Sequence, residues 1–326
     1  MGEKKIPVYL ITGFLGSGKT TVLMKVLKEL KEKNMTPGIV LNELGEVNVE
    51  RDLFENEPLL EMLNGCICCT IREDLTKELE TFITTVNDHE RPDALLIEGT
   101  GVANPREIVE AITSPALFEE LELKSIVSLI DASHYLEYQS IFSSSKEIRT
   151  VLKQQLTNGT LILLNKVDLI SAAKLVKVRK KVRSTVDNER VSIFETSYGD
   201  VDVEEILKPR VITKTVDGDP QHKDHSSHHH HDHDHHVFQT IKIDTPPVLD
   251  RTNLEKWLKG LPEHVIRAKG MIQLKETPGY FQFQFSSNQL SISRIDQKKL
   301  APCIIIIGHS IDATEIEQSF QRLVLG

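Results

Sequence analysis

Eight residues constrain this chain more than any others. Gly13-Phe14-Leu15-Gly16-Ser17-Gly18-Lys19-Thr20 follows the apolar run Ile6-Pro7-Val8-Tyr9-Leu10-Ile11 and precedes Val22, Leu23, Val26, Leu27 and Leu30. The first run reads as a buried strand and the second as one face of a helix. Strand, glycine-rich loop and helix in that order are the context in which such a loop cradles phosphates. Gly13, Gly16 and Gly18 let the backbone approach closely, and amide N–H groups at the helix N-terminus supply positive potential. Lys19 is expected to reach the β- and γ-phosphates of a nucleoside triphosphate and Thr20 to ligate Mg²⁺, with Ser17 and Thr21 in the same nucleotide-binding set. The plain alternative is a turn that ends in Lys-Thr by chance, and the flanking elements weigh against it.

The base is addressed further along. Leu161-Ile162-Leu163-Leu164 runs into Asn165-Lys166-Val167-Asp168, which places these polar residues at the carboxyl end of a strand, where open α/β sheets bind ligands. A carboxylate at Asp168 accepts from both N1–H and the exocyclic amine of guanine. Adenine lacks that amine and would leave the charge unpaired. Lys166 lies over the base in this reading, and Asn165 ties the loop to the phosphate loop. A surface turn of mixed charge is the competing account. Between the two motifs, Ala94-Leu95-Leu96-Ile97-Glu98 reads as a strand followed by Gly101. An acidic residue here serves Mg²⁺ and its water, and the glycine N–H senses the γ-phosphate. Glu98 and Lys19 are therefore the catalytic candidates, with Glu98 and Thr20 the magnesium pair. Glu195-Thr196-Ser197 is a short match to a last loop over the guanine.

Three of the four cysteines, Cys66, Cys68 and Cys69, fall within Asn64–Thr70, between the phosphate loop and Glu98. Thiolates are soft ligands suited to Zn²⁺ and other late first-row metals, Co²⁺ included. Tetrahedral Zn²⁺ takes four ligands, so a carboxylate, a histidine or water completes the shell; Glu43 and Glu46 are the nearby acids. Buried inert thiols or a redox pair are the alternatives. Cys303, in an isoleucine run, reads as core. Residues 222–236 hold His222, His225, His228, His229, His230, His231, His233, His235 and His236, interleaved with Asp224, Asp232 and Asp234. Such a segment cannot bury a core and predicts a disordered stretch that captures metal without fixed geometry, or a passive linker.

Net charge is −9 over 326 residues with 39% apolar content. No basic patch is legible, which argues against nucleic acid as a partner, and no apolar run is long enough to cross a membrane. The N-terminus runs straight into the first strand, so removal of a signal peptide would destroy the loop and a cytoplasmic location is expected. Reduced thiols fit that compartment.

Strands near 6–12, 37–42, 93–98, 125–131, 160–165 and 191–195 alternate with helical stretches at 18–33, 72–87, 105–112, 145–156 and 172–186. This is α/β, a doubly wound and mostly parallel sheet, followed by a smaller C-terminal α+β domain. The expected division is a nucleotide domain over 1–210, a His-rich linker over 211–236 and the second domain over 237–326. In the latter, strands at 237–243, 264–274, 279–285 and 302–307 accompany helices at 250–260 and 311–323. Trp257, Arg267, Lys269 and His309 are its visible polar or aromatic candidates, each more readily a packing or surface residue. Asp131, ending its strand, is a candidate for the same sheet edge, though it reads more readily as a structural cap.

GFLGSGKTT, LNELGE, NGCICCT, LLIEGTGVANP and LLNKVD, in this order, resemble the CobW-type GTPase metallochaperone family, and the resemblance covers nearly the whole chain. It implies a GTPase that hydrolyses GTP to GDP and phosphate with Mg²⁺, binds a transition metal, usually Zn²⁺, at the cysteine triplet, and delivers it to a metal-requiring client protein. In this reading, order in the loops around Asn42–Glu46 and Cys66–Cys69 follows the nucleotide. Some relatives carry an extra acid before the Asn-Glu pair; Leu41 stands there here, which leaves Glu46, Glu43 or water for the last ligand. The short N-terminal docking motif of eukaryotic relatives is not visible. A metal store or sensor tuned by GTP is the second reading, a P-loop kinase the third, and a homodimer stays open.

Overall fold

The computed structural model describes residues 5–41, 59–61, 71–86, 91–218, 238–295 and 301–325. Glu43, Glu46, Cys66, Cys68, Cys69 and all nine histidines of 222–236 lie outside the described residues. The chain divides into two compact units, Met1–Arg210 and Val211–Gly326.

The first unit is built on a parallel sheet of β1 (Ile6–Gly13), β2 (Pro37–Leu41), β3 (Leu59–Glu61), β4 (Ala94–Glu98), β5 (Leu121–Asp131), β6 (Leu161–Asn165) and β7 (Ser192–Glu195), in the order β3-β2-β4-β1-β5-β6-β7. Near-continuous apolar sequences such as Leu161–Leu164 are fully buried because helices cover both faces of such a sheet. On one face lie α1 (Lys19–Glu32) and the short α7 (Val203–Leu207), with Val22, Leu23, Val26 and Leu30 packed on Ile11, Ile39, Leu96 and Val127. Four further helices are α2 (Ile71–Thr85), α3 (Pro105–Ile112), α5 (Lys146–Asn158) and α6 (Ala172–Val186), packed in sequence against one another. A single turn, α4 (Tyr135–Tyr138), follows β5. Asn104 caps α3 by accepting from Arg106 N, Pro105 pre-sets its first turn, and Ser145 and Ser171 cap α5 and α6 in the same way.

Strand order places the ligand edge. From β1 the chain crosses to β2 through α1, while from β4 it returns past β1 to β5 through α3. Adjacent strands β1 and β4, in register at Ile11 and Glu98, therefore send their loops in opposite directions. That reversal opens a crevice at the carboxyl ends of the strands.

The second unit holds a six-stranded sheet in the order β12-β11-β10-β13-β9-β8. Its strands are β8 (Val211–Asp217), β9 (Phe238–Asp244), β10 (Val265–Gln273), β11 (Tyr280–Ser286), β12 (Gln289–Ile295) and β13 (Cys303–His309). All neighbours are antiparallel except β8 with β9. Helices α8 (Arg251–Lys259) and α9 (Ala313–Leu325) bury Leu254, Trp257, Ile316 and Phe320 against Ile241, Ile243, Phe283, Ile304 and Ile306.

Three expectations change. Residues 211–217 are not linker: Val211–Asp217 pairs with β9 along its whole length, and its β-branched residues suit a sheet edge. Strand β12, absent from the sequence reading, alternates Leu290 and Ile292 with polar residues before ending at Ile295. It joins β11 through Ser287 and Asn288, both at positive φ (49° and 60°), the backbone of a two-residue hairpin turn. A basic surface does exist. Helix α6 carries Lys174, Lys177, Arg179, Lys180, Lys181 and Arg183 and no acid; net charge over the chain conceals this local excess.

Candidate functional site

The glycine loop closes β1 in the backbone its glycines permit. Gly13, Gly16 and Gly18 have φ of 150°, 72° and 100°. A Cβ on Gly13 would lie 2.4 Å from Leu129 O, and one on Gly18 2.5 Å from Asn165 Nδ2. Neither position tolerates a side chain. Ser17 N donates to Phe14 O at 3.1 Å, and α1 then starts at Lys19 with no side-chain cap and no acid in its first turn. Such a helix N-terminus keeps its N–H groups for an anion. Ser17 is fully buried and its Oγ meets no hydrogen-bond partner among the described residues. Lys19 is buried; Thr21 is exposed.

One strand over, Glu98 Oε1 accepts from Thr20 Oγ1 at 3.1 Å. Gly99 N donates to Ile11 O at 2.9 Å, which holds this loop to β1. Gly101 sits against the phosphate loop: a Cβ there would meet Leu15 Cδ2 at 2.4 Å. Its carbonyl accepts from Gln155 Nε2 of α5 at 3.1 Å.

Asn165 joins three loops with one amide. Its Nδ2 donates to Ser17 O at 2.9 Å, while Oδ1 accepts from Gly199 N at 2.9 Å and Thr196 Oγ1 at 3.2 Å. The residue is 2% exposed, so these bonds satisfy a group that would be costly to bury unpaired. Lys166 follows with left-handed backbone, φ 63°, uncommon for a non-glycine residue. Asp168 lies on the 3₁₀ turn Val167–Leu169, exposed, and its carboxylate meets no partner among the described residues.

The sequence reading understated Asp131. It is 9% exposed, and its Oδ2 accepts from Lys166 Nζ at 2.8 Å while Oδ1 accepts from Ser133 N at 2.9 Å. Burial pushes this carboxyl up, but the Lys166 and Ser133 hydrogen bonds outweigh it and hold the group below the usual carboxylate range. The ring of Phe14 lies 5.1 Å from that of Tyr138, which stacks at 5.8 Å on His134. The signal for this wall was the i, i+4 spacing of His134 and Tyr138 just past a strand end. Of Glu195-Thr196-Ser197, Thr196 reaches Asn165, whereas Glu195 pairs with Arg179 at 3.1 Å. Gly199, at φ 63° beside Val22, was not anticipated.

In the second unit, Trp257 Nε1 donates to Ser319 Oγ at 2.9 Å and its ring packs on Phe320. Arg267 donates to Gln284, and His309 meets Phe238 edge-on. Cys303 is buried. Among the described residues no three His, Cys, Asp or Glu side chains group as metal ligands, and no helix is long and apolar enough to cross a membrane.

Comparison with known proteins agrees with the two units. The family described as "CobW/HypB/UreG, nucleotide-binding domain" matches residues 7–194, and the "Cobalamin synthesis protein cobW C-terminal domain" matches residues 238–324. The chain is 27% identical to a zinc chaperone CobW of Sinorhizobium sp, covering 99% of this chain and 98% of that one. It is 32% identical to zinc-regulated GTPase metalloprotein activator 1 of Schizosaccharomyces pombe, over 62% of this chain and 48% of the relative. Zn(II)-bound YjiA GTPase from E. coli is a structural match at a TM-score of 0.48, 20% identical, over 98% of this chain and 99% of that one.

Proposed function

The chain belongs to the CobW/HypB/UreG family of nucleotide-binding proteins, and from that premise we propose that it is a GTP-hydrolysing metallochaperone. In this proposal a transition-metal ion, Zn²⁺ before Co²⁺, is cargo held by Cys66, Cys68 and Cys69 with Glu43, Glu46 or water completing the shell. The cargo passes to a metal-requiring client in the cytoplasm. The observation that carries the nucleotide half is the Asn165 junction, which binds the phosphate loop, the Lys166–Asp168 turn and the Thr196–Gly199 loop together.

Each group has a task. The N–H groups of Gly16–Lys19 and the Lys19 ammonium hold the phosphates, and Asp168 accepts from the guanine N1–H and amine. Thr20 and Glu98 are two hard oxygen donors 3.1 Å apart beside the phosphate loop, a donor set that suits Mg²⁺. Bound there with GTP, Mg²⁺ would neutralise charge on the β- and γ-oxygens. Glu98 orients water, and Gly101 N–H reports whether the γ-phosphate is present. In sequence the phosphate loop and Glu98 flank the stretch that contains the cysteines, so a loop ordered by GTP and relaxed after hydrolysis would hold metal tightly in one state and release it in the other.

The test is Zn²⁺ titration against a competing chelator with a GTP analogue, with GDP and without nucleotide. Coupling by loop order predicts affinities at least about 10-fold apart between the first two states, and reciprocal effects on nucleotide binding. Equal affinity in all three would end the coupling, and tight binding retained by the Cys66→Ser, Cys68→Ser, Cys69→Ser variant would move the site. The nine histidines of 222–236 favour a store as the second reading. Multiple-turnover GTP hydrolysis stimulated by metal separates the two, since a store needs none.

A further inference from the structure

A cleft of about 800 Å³ lies between α3, α5 and α6, apart from the nucleotide crevice. One wall is a face of α5 that presents Lys146, Arg149 and Lys153 at i, i+3 and i+7; Lys181 of α6 and Arg106 of α3 add two more cations, against a single carboxylate, Asp187. Three of the other five α6 cations have partners for their side chains. Lys174 donates to Ser133 O, Arg179 pairs with Glu195, and Arg183 donates to Asn188 O and Val191 O. By contrast Lys146, Lys153 and Lys181 enter no ion pair among the described residues. Glu147, next to Lys146 in sequence but not a lining residue, bonds to Ser145 and its own backbone at the helix start and is only secondarily attracted to Lys146 and Arg149. In the loop between Gln139, which lines the cleft, and the α5 cap, Ile141 and Phe142 lie five and four residues before Lys146 and are 71% and 94% exposed.

A local excess of unpaired cations on a chain of net charge −9 has no folding benefit. Like charges along one helix face destabilise it. We propose that this cleft docks an acidic, partly apolar polypeptide segment of a partner protein. Seven residues of helix set Lys146 and Lys153 about 10.5 Å apart. An extended strand repeats its side chains on one face about every 6.7 Å, so two successive carboxylates of a Glu-x-Glu segment fall within this ladder and a third is left for Lys181 or Arg106. Thr150 and Gln154, beside the cations, offer hydrogen bonds to the segment's backbone, and exposed Phe142, just before α5, offers an apolar side chain a surface to cover. A polynucleotide fits less well, because the acidic remainder of the chain repels a long polyanion beyond the cleft.

The experiment uses the full chain and a fluorescein-labelled peptide of alternating glutamates with one leucine, read by anisotropy at low and moderate salt. Lys146→Glu, Lys153→Glu, Lys181→Glu together should weaken binding by about 10-fold or more. The Lys28→Glu, Lys31→Glu, Lys208→Glu variant, equal in charge and drawn from α1 and the end of α7, none of which lines the cleft, should stay within about 3-fold of the parent. Phe142→Ser should lose affinity without changing the salt dependence. Equal weakening by the two triple variants would reduce the effect to bulk charge and overturn the proposal. So would tighter, cleft-dependent binding of a single-stranded oligonucleotide of matched charge. Circular dichroism melts matching the parent exclude misfolding as the cause.

Discussion

The carboxyl edge of the parallel sheet and the antiparallel sheet of the second unit are built from similar strands and put them to different use. Leu161–Leu164 and Ile304–Ile307 are equally apolar and equally buried. At the first, the loops that follow β1, β6 and β7 hold left-handed Lys166, glycines at positive φ and an exposed carboxylate at Asp168. At the second, β11 and β12 are joined by a two-residue turn, Trp257 bonds to Ser319 between the helices, and Arg267 bonds to Gln284 within the sheet. Parallel strands all end on one side, so chemistry collects at one edge. Antiparallel ends alternate, and nothing comparable accumulates.

The sharpest way to break that contrast is to place a methyl group on a crowded glycine in each region. Gly18→Ala forces a Cβ within 2.5 Å of Asn165 Nδ2 at φ 100°, so the junction and the helix start must shift. GTP-analogue affinity should fall about 100-fold, ~2.7 kcal/mol. Gly270→Ala meets Cys303 O at 2.1 Å, where β10 and β13 approach. It should cost about 1–3 kcal/mol of stability as overpacking, followed by Trp257 fluorescence, with nucleotide affinity unchanged. A comparable loss of GTP affinity in both variants would remove the distinction between edge and sheet.

Next in size is the base. Asp168→Asn replaces an acceptor with an amide that cannot take two hydrogen bonds from guanine, and should lower GTP affinity about 10- to 100-fold. Xanthine presents a carbonyl where guanine has its amine, so xanthosine triphosphate should regain much of the loss. Isothermal titration with the two nucleotides decides it, and no change in preference would take Asp168 out of base recognition.

Much of this was legible beforehand because it depends on local pattern. Glycines before an amphipathic helix, a polar tetrad after four apolar residues, and a serine cap each carry their meaning within a few positions. Asp131 did not, since its role rests on Lys166, which topology brings to the adjacent strand end through the register of Asp131 with Asn165. Strand β8 was hidden by the polar segment that follows it. The basic cleft needed three helices to assemble it.

Asp131 also yields the third prediction. Asp131→Asn keeps the shape and removes the charge facing Lys166, so GTP affinity should fall about 3- to 10-fold, ~1 kcal/mol for a pair that is partly exposed at Lys166. The folded carboxyl titrates below its unfolded value, so its contribution is present in full above about pH 4 and is lost as pH falls through the folded pKa. The stability gap between parent and variant should therefore be flat from about pH 5 to 8 and close only in acid. A gap that closed near neutrality would assign the effect to another group.

The smallest expected effect tests the other side of the contrast. Ser319→Ala removes the acceptor for Trp257 Nε1–H and leaves the indole packed on Phe320. Trp257 is 9% exposed, so the orphaned donor keeps some access to water, and the loss should be about 0.5–1.5 kcal/mol. Trp257 is the only tryptophan of the chain, so its emission reports the second unit directly. Denaturant melts should show an earlier fluorescence midpoint with GTP turnover and Zn²⁺ affinity unmoved. A polar pair inside the antiparallel unit would then be structural where a polar pair at the parallel edge, Asp131 with Lys166, is functional. A fall in turnover matching the fall in stability would instead place the second unit within the nucleotide cycle.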